Sequence, residues 1–138
     1  MAISTKINFN EAGLIPAIAQ DFETNEILMV AWMNKEAFEL TLEKKQAVYF
    51  SRSRNKLWFK GEESGNMQIV KDVYTDCDND VILLKVQQVG GIACHTGRES
   101  CFFQKIDGEK IEVTKPVIKN PKEIYGWNFQ ESWRSNSQ

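Results

Sequence analysis

Residues 67–101 read MQIVKDVYTDCDNDVILLKVQQVGGIACHTGRESC, and the fold turns on how this stretch is read. Residues 67–77 and 81–89 are rich in β-branched and apolar side chains, are too short for typical helices, and are bounded by acidic and glycine punctuation. Both therefore read as strands. Asp78-Asn79-Asp80 either ends the first or bends between the two. If residues 76–80 continue as strand, alternation sends Asp76, Asp78 and Asp80 to one face and Cys77 to the other. Hard oxygen donors and a soft sulfur donor are then sorted apart. Carboxylates suit Mg²⁺ and thiolates suit Zn²⁺, so the segment can feed two metal sites of different chemistry.

Working outward toward the N-terminus, residues 14–20 and 27–33 are apolar runs separated by the turn-rich Asp21-Phe22-Glu23-Thr24-Asn25-Glu26. They read as a hairpin, with Pro16 placing the first strand near an edge. Asn34 is an N-cap candidate, and residues 35–45 carry Phe38 and Leu42 at helical spacing with lysines at the end, which predicts one short amphipathic helix. Residues 47–54 and 57–60 read as strands turning at Asn55-Lys56, and the loop 61–66 follows. Beyond the central stretch, residues 101–106 and 110–113 form a further strand pair turning at Asp107-Gly108. The tail, residues 116–138, is polar, with Tyr125, Trp127, Phe129 and Trp133 scattered through it.

About eight strands and one helix predict an α+β, β-rich domain of mostly antiparallel strands, arranged as a roll or partly open barrel. No repeat, low-complexity linker or boundary divides the chain, so residues 1–138 form a single domain with residues 1–10 and about 128–138 peripheral. The formal charge of −2 and a pI near 5.5 give no general pull toward nucleic acid or anionic membrane. Nothing approaches ~20 uninterrupted apolar residues, and the first residues lack a signal-peptide pattern, so a cytoplasmic protein is expected. In reducing cytosol, three cysteines favour metal binding over disulfide formation.

All three cysteines and the only histidine lie between residues 76 and 101. Their spacing is not that of a Cys-x-x-Cys knuckle, so a structural four-thiolate site cannot come from one chain. Three protein ligands with one position left for water is the catalytic zinc pattern, and it points to Cys77, Cys94 and Cys101. Three buried structural thiols are the plainer alternative. Gly90-Gly91 and Gly97 would give Cys94 and Cys101 a flexible approach to an ion. The ligands meet either within one chain or across a subunit interface, and spacing alone does not choose. His95 is the natural general base or acid for the attacking water.

Asp76, Asp78 and Asp80 match the start of an EF-hand loop, but Val81 and Gln87 stand where that loop requires Gly and Glu, so a calcium sensor is not expected. Three carboxylates at alternate positions repel one another unless a cation, here Mg²⁺, is present. Arg52, Arg54, Lys60 and Ser64 make a donor-rich patch suited to phosphate, and Trp58 between them can stack on a heterocycle or serve as a core tryptophan. One such hairpin at acidic pI is a weak case for single-stranded nucleic acid. The His-x-Glu and Pro-Cys-x-x-Cys elements of the nucleobase deaminases are absent.

Taken in order, residues 28–37, Ser51-Arg52-Ser53-Arg54, residues 57–62, Ser64-Gly65, residues 76–80 and residues 94–102 resemble the phosphoribosyl-AMP cyclohydrolase family of histidine biosynthesis, over about residues 14–106. The resemblance implies a β-rich homodimer in which zinc, one per subunit, is shared, with Cys77 from one chain and Cys94 plus Cys101 from the other. It also implies Mg²⁺ on Asp76, Asp78 and Asp80, and a His95 that assists the attacking water. The substrate so implied is a small nucleotide with two phosphates, N1-(5-phosphoribosyl)-AMP. Its adenine ring opens between N1 and C6 without loss of ammonia, and Arg52, Arg54 and Lys60 act as counter-charge. Asn79 stands where the family usually has Gly, a change that left-handed backbone tolerates in Asn. A non-catalytic, zinc-containing nucleotide-binding module is the competing expectation.

Overall fold

The computed structural model describes residues 3–125. Strands β1 (Ile15–Asp21) and β2 (Ile27–Met33) form the expected antiparallel hairpin, from Ile15↔Met33 to Gln20↔Ile27, with a bulge between Ala19 and Gln20. Its turn is built by one carboxylate: Asp21 Oδ1 accepts from the amides of Glu23 and Thr24, each at 2.9 Å. Helix α1 (Lys35–Lys44) begins where Asn34 caps it, accepting from Ala37 N at 2.8 Å, and ends at Lys45 in left-handed conformation. It buries Ala37, Phe38 and Thr41, and Thr41 Oγ1 accepts from Val48 N at 3.0 Å, fixing the next strand to the helix.

β3 (Val48–Ser51) and β4 (Lys56–Phe59) pair as a separate two-stranded sheet. β5 (Gln68–Thr75) and β6 (Ile82–Gln88) are the two strands read from the central stretch. β7 (Gln104–Asp107) and β8 (Lys110–Val113) form an exposed hairpin, and α2 (Pro121–Tyr125) is a single helical turn in the tail. Trp127, Phe129 and Trp133 lie outside the described residues. The lead-in expected at the periphery is tied down. Ser4 Oγ donates to Glu39 at 2.7 Å, and Ile7 and Phe9 pack against the core.

Two expectations need correction. Among the described residues the strands are mostly antiparallel, as expected, but close into no barrel; the main sheet runs β2-β1-β6-β5, and its central pair, β1 with β6, is parallel. Alternation along a strand reports which side is buried, not which strand lies beside it. β1 is therefore interior rather than near an edge. Pro16 is tolerated because parallel pairing with β6 starts only at Ala17↔Ile82, so the missing N–H costs no bond there.

One face of the main sheet, carrying Ala17, Ala19, Ala31, Ile82, Leu84 and Val86, packs with Phe38, Val48, Tyr49 and Trp58 to form the core. A polar chain crosses this core. Tyr49 Oη donates to Gln68 Oε1 at 2.6 Å, Gln68 Nε2 to Gln88 Oε1 at 2.9 Å, and Gln88 Nε2 to the Asn66 carbonyl at 2.8 Å. Every member is bonded, as burial demands. The chain ends on the loop 61–66. No helix among the described residues is long and apolar enough to cross a membrane.

Candidate functional site

Residues 93–99 fold back on themselves: Ala93 N donates to Glu99 O at 3.3 Å, Cys94 N to Arg98 O at 3.1 Å and Gly97 N to Cys94 O at 3.0 Å. On one side this turn is held to β2. Cys101 N donates to Leu28 O at 2.7 Å, while the fully buried Ser100 donates its hydroxyl to Ile27 O at 2.7 Å and accepts from Phe102 N at 2.9 Å. On the other side, Gly97 O accepts from Ile118 N at 2.8 Å, and a side chain at Gly97 would run into the Lys119 carbonyl. The glycine thus permits a close approach at positive φ, rather than the flexibility its position suggested.

Within the turn, the sulfurs of Cys94 and Cys101 share a hydrogen bond, and Thr96 Oγ1 donates to Cys94 Sγ at 3.1 Å. The bond from Cys101, aided by Thr96 and the nearby Lys60 charge, pulls the Cys94 thiol down to about 6 despite its burial. The bond to Cys94, together with lost hydration, pushes the Cys101 thiol up. The two sulfurs thus hold one proton readily and a second poorly, which leaves one thiolate sulfur beside a protonated one, a donor set that a soft cation could bind. Lys60 Nζ donates to the Ala93 carbonyl at 2.7 Å; burial lowers its pKa and the two sulfurs partly restore it. Burial, and secondarily Lys60, holds His95 near 4, so the imidazole is neutral around pH 7.

Cys77 is not part of this pair. It lies exposed on the β5–β6 turn, and among the described residues the three sulfurs do not converge to metal-binding distance within one protomer. The oxygens of Asp76, Asp78 and Asp80 do converge, all within 4.8 Å of one another. They do so from a turn, not from one face of a strand. Asp80 N donates to Asp76 Oδ1 at 3.1 Å, Asn79 N donates to Asp76 O at 3.1 Å, and Asn79 adopts a φ of 57°. The Asp80 amide first, with the amides of Asp78 and Val81, holds the Asp76 carboxyl low, while lost hydration and the Asp76 charge raise that of Asp80. Asn8 pins the turn from outside, donating N to Asn79 O and Nδ2 to Asp78 O, each at 2.8 Å.

The basic patch divides. Arg52 and Arg54 are exposed on the β3–β4 turn, with the Arg52 guanidinium 4.9 Å from the Trp32 ring centre. Trp58 is 7% exposed and packs against Tyr49 at 5.5 Å, so it sits as a core residue. Ser64 Oγ accepts from Asn66 N at 3.1 Å and shapes its own loop. Lys60 leaves the arginines and points into the thiol and histidine turn. Sequence reasoning missed Asn8, Thr96, Ser100 and the Gln68–Gln88 chain. The nearness in sequence of Ser100 to Cys101 and of Thr96 to Cys94 carried a signal, whereas Asn8 and the Gln68–Gln88 chain reach their partners only through folding.

Comparison with known proteins identifies the family. A family model described as phosphoribosyl-AMP cyclohydrolase matches residues 29–103. A protein of Vesicomyosocius okutanii named phosphoribosyl-AMP cyclohydrolase is 62% identical over 126 residues, 91% of this chain and 100% of the relative. Proteins of the same name from Ruthia magnifica and Nitrosospira multiformis are 65% and 59% identical, covering 85% and 88% of this chain and 93% of each relative. The matched span includes the acidic turn, Lys60, His95 and all three cysteines, and the chain belongs to the phosphoribosyl-AMP cyclohydrolase family.

Proposed function

We propose that this chain is a cytoplasmic hydrolase of histidine biosynthesis that opens the adenine ring of N1-(5-phosphoribosyl)-AMP between N1 and C6, giving the phosphoribosyl-formimino aminoimidazole carboxamide ribotide. The observation that carries the reading is the Cys94–Cys101 thiol pair folded into one turn with a neutral His95, in a chain of this family.

The donor sets fit two metals. A sulfur pair with one member already acidic suits Zn²⁺, and Cys77 of a second copy completes three ligands, since it does not meet the pair in its own protomer. Zinc bound there makes a water nucleophilic near neutral pH. The three carboxylates of the β5–β6 turn suit Mg²⁺. The working unit is a homodimer.

The chain's own residues supply the rest. The phosphoribosyl group on N1 withdraws electrons from the N1–C6 amidine and leaves C6 open to attack. His95, neutral because it is buried beside Lys60, accepts a proton from the attacking water and returns it toward N1 as the N1–C6 bond breaks. The exocyclic nitrogen stays on the product as a carboxamide, so no ammonia leaves. Lys60 holds the Ala93 carbonyl and sets a positive charge beside the site, while Arg52, Arg54 and the Ser64 loop meet the phosphates. Trp58 forms a wall behind Lys60, whose Nζ lies 5.7 Å from the ring centre.

An ultraviolet assay on the N1-phosphoribosylated nucleotide, paired with metal analysis, tests this. Ring opening without ammonia and zinc at one per chain are expected. Ammonia release, or zinc bound without turnover as in a nucleotide-binding module, would contradict it.

A further inference from the structure

Gln68 and Gln88 face each other across β5 and β6, at the end of the sheet from which the chain runs on to the thiol turn. Both are buried in a core that is otherwise apolar. Two aliphatic side chains could fill the same space at little cost, so what the amide pair adds is direction. That direction is set at the outer end. Gln88 Nε2 donates to the carbonyls of Asn66 at 2.8 Å and Met67 at 3.2 Å, groups that only accept, so Gln88 Oε1 must face Gln68. Gln68 then presents Nε2 to Gln88 and Oε1 to Tyr49, whose hydroxyl donates. Each member has one orientation.

The loop 61–66 that Gln88 holds is tied at both ends to the segment leading into the thiol turn. At its entry, Lys60 Nζ donates to the Ala93 carbonyl. At its exit, Val89 N donates to Met67 O at 2.8 Å, and Gly90 lies so close to Asn66 that a side chain there would run into Asn66 Oδ1. Between them, Gly65 N donates to Gly61 O at 2.8 Å and Asn66 N to Ser64 Oγ at 3.1 Å. A hydroxyl that accepts from its own loop keeps its proton for an outside oxygen.

We propose that Gln88 is a positioning residue for a substrate phosphate: from the core it fixes the 61–66 loop at a set distance from the thiol turn, so that Ser64 meets the phosphate while C6 lies at His95. The proposal rests on the reading that the Ser64 loop meets phosphate. A loop held at one end only would bind the same group over a range of distances and spend binding energy on ordering itself.

Steady-state kinetics of the metal-loaded, full-length chain on N1-(5-phosphoribosyl)-AMP, beside amide hydrogen exchange, tests this. Gln88→Met fills the volume without the amide. It should keep its circular dichroism and zinc content, raise KM about 10-fold or more with kcat little changed, and speed exchange at Gly65 and Asn66. Gln88→Asn keeps an amide but shortens its reach; it should act in the same direction more mildly, and it carries the test if Gln88→Met folds poorly. Tyr49→Phe removes a buried donor at the far end of the chain. It should lower the urea midpoint about as much as Gln88→Met, yet leave KM and loop exchange as in wild type. The assignment falls if the folded Gln88 variants keep wild-type KM and exchange. It falls too if Tyr49→Phe raises KM as they do, because KM then follows stability rather than the loop. Ser64→Ala separates the underlying reading. If Gln88→Met loosens the loop while it and Ser64→Ala both keep wild-type KM, the phosphate reading fails and the proposal with it. If Ser64→Ala alone raises KM, that reading stands and only the part given to Gln88 falls.

Discussion

Lys60 Nζ donates to the Ala93 carbonyl at 2.7 Å, which fixes an ammonium one residue away from Cys94 along the chain and beside His95. Lys60→Met keeps the stem's packing but leaves that carbonyl without its donor. The variant should lose about 1–3 kcal/mol of stability and most of its kcat, read from urea unfolding and initial rates. Wild-type kcat in a folded Lys60→Met protein would reduce Lys60 to a packing residue.

Ser100 holds Cys101 from both sides, donating to Ile27 O and accepting from Phe102 N. Ser100→Ala should weaken zinc binding by about 10–100-fold, as loss of a ligand's supporting bonds does, measured by chelator competition. Unchanged affinity would mean that the Cys101 N to Leu28 O bond alone suffices.

His95 contributes no ligand in this account, so His95→Ala should retain zinc while its rate falls about 10²-fold or more. Near-normal turnover with full metal would show that water reaches C6 without help from this imidazole.

The β1–β2 turn gives a pH signature. Amides of Thr24 and Glu23 hold the Asp21 carboxyl below its ordinary range, Thr24 contributing most. Stability from this turn is therefore present above the unfolded carboxyl pKa and is lost as pH falls through that range toward the folded value. Asp21→Asn keeps an acceptor but not the charge. Its urea midpoint should fall less than that of wild type between pH 7 and pH 3, and equal losses would assign the acid sensitivity elsewhere.

Much of this was legible before folding. Asn34 and the period of Phe38 placed α1, and the eight strands follow their apolar runs and turn residues. Sheet order was not legible, because nothing in residues 15–21 says that β6, some sixty residues on, lies parallel beside them. The cysteines and His95 stood out by residue type. Lys60 was grouped with Arg52 and Arg54 because they are near in sequence, yet alternation along β4 and the chain beyond it sends Lys60 inward to Ala93 while the arginines stay on the turn. Trp58 followed the same logic into the core. The acidic residues converge by a turn that Asn79 permits through its φ of 57° and that Asn8 secures from far away in the chain.

The most direct test mixes two inactive proteins, Cys77→Ser and Cys94→Ser, after subunit exchange. A zinc site built from two protomers gives each hybrid dimer one intact set of ligands, so activity should return to about a quarter of wild type, with zinc, at equal mixing. A mixture that exchanges subunits yet stays inactive, or a Cys77→Ser protein that keeps full zinc and turnover alone, would contradict the account.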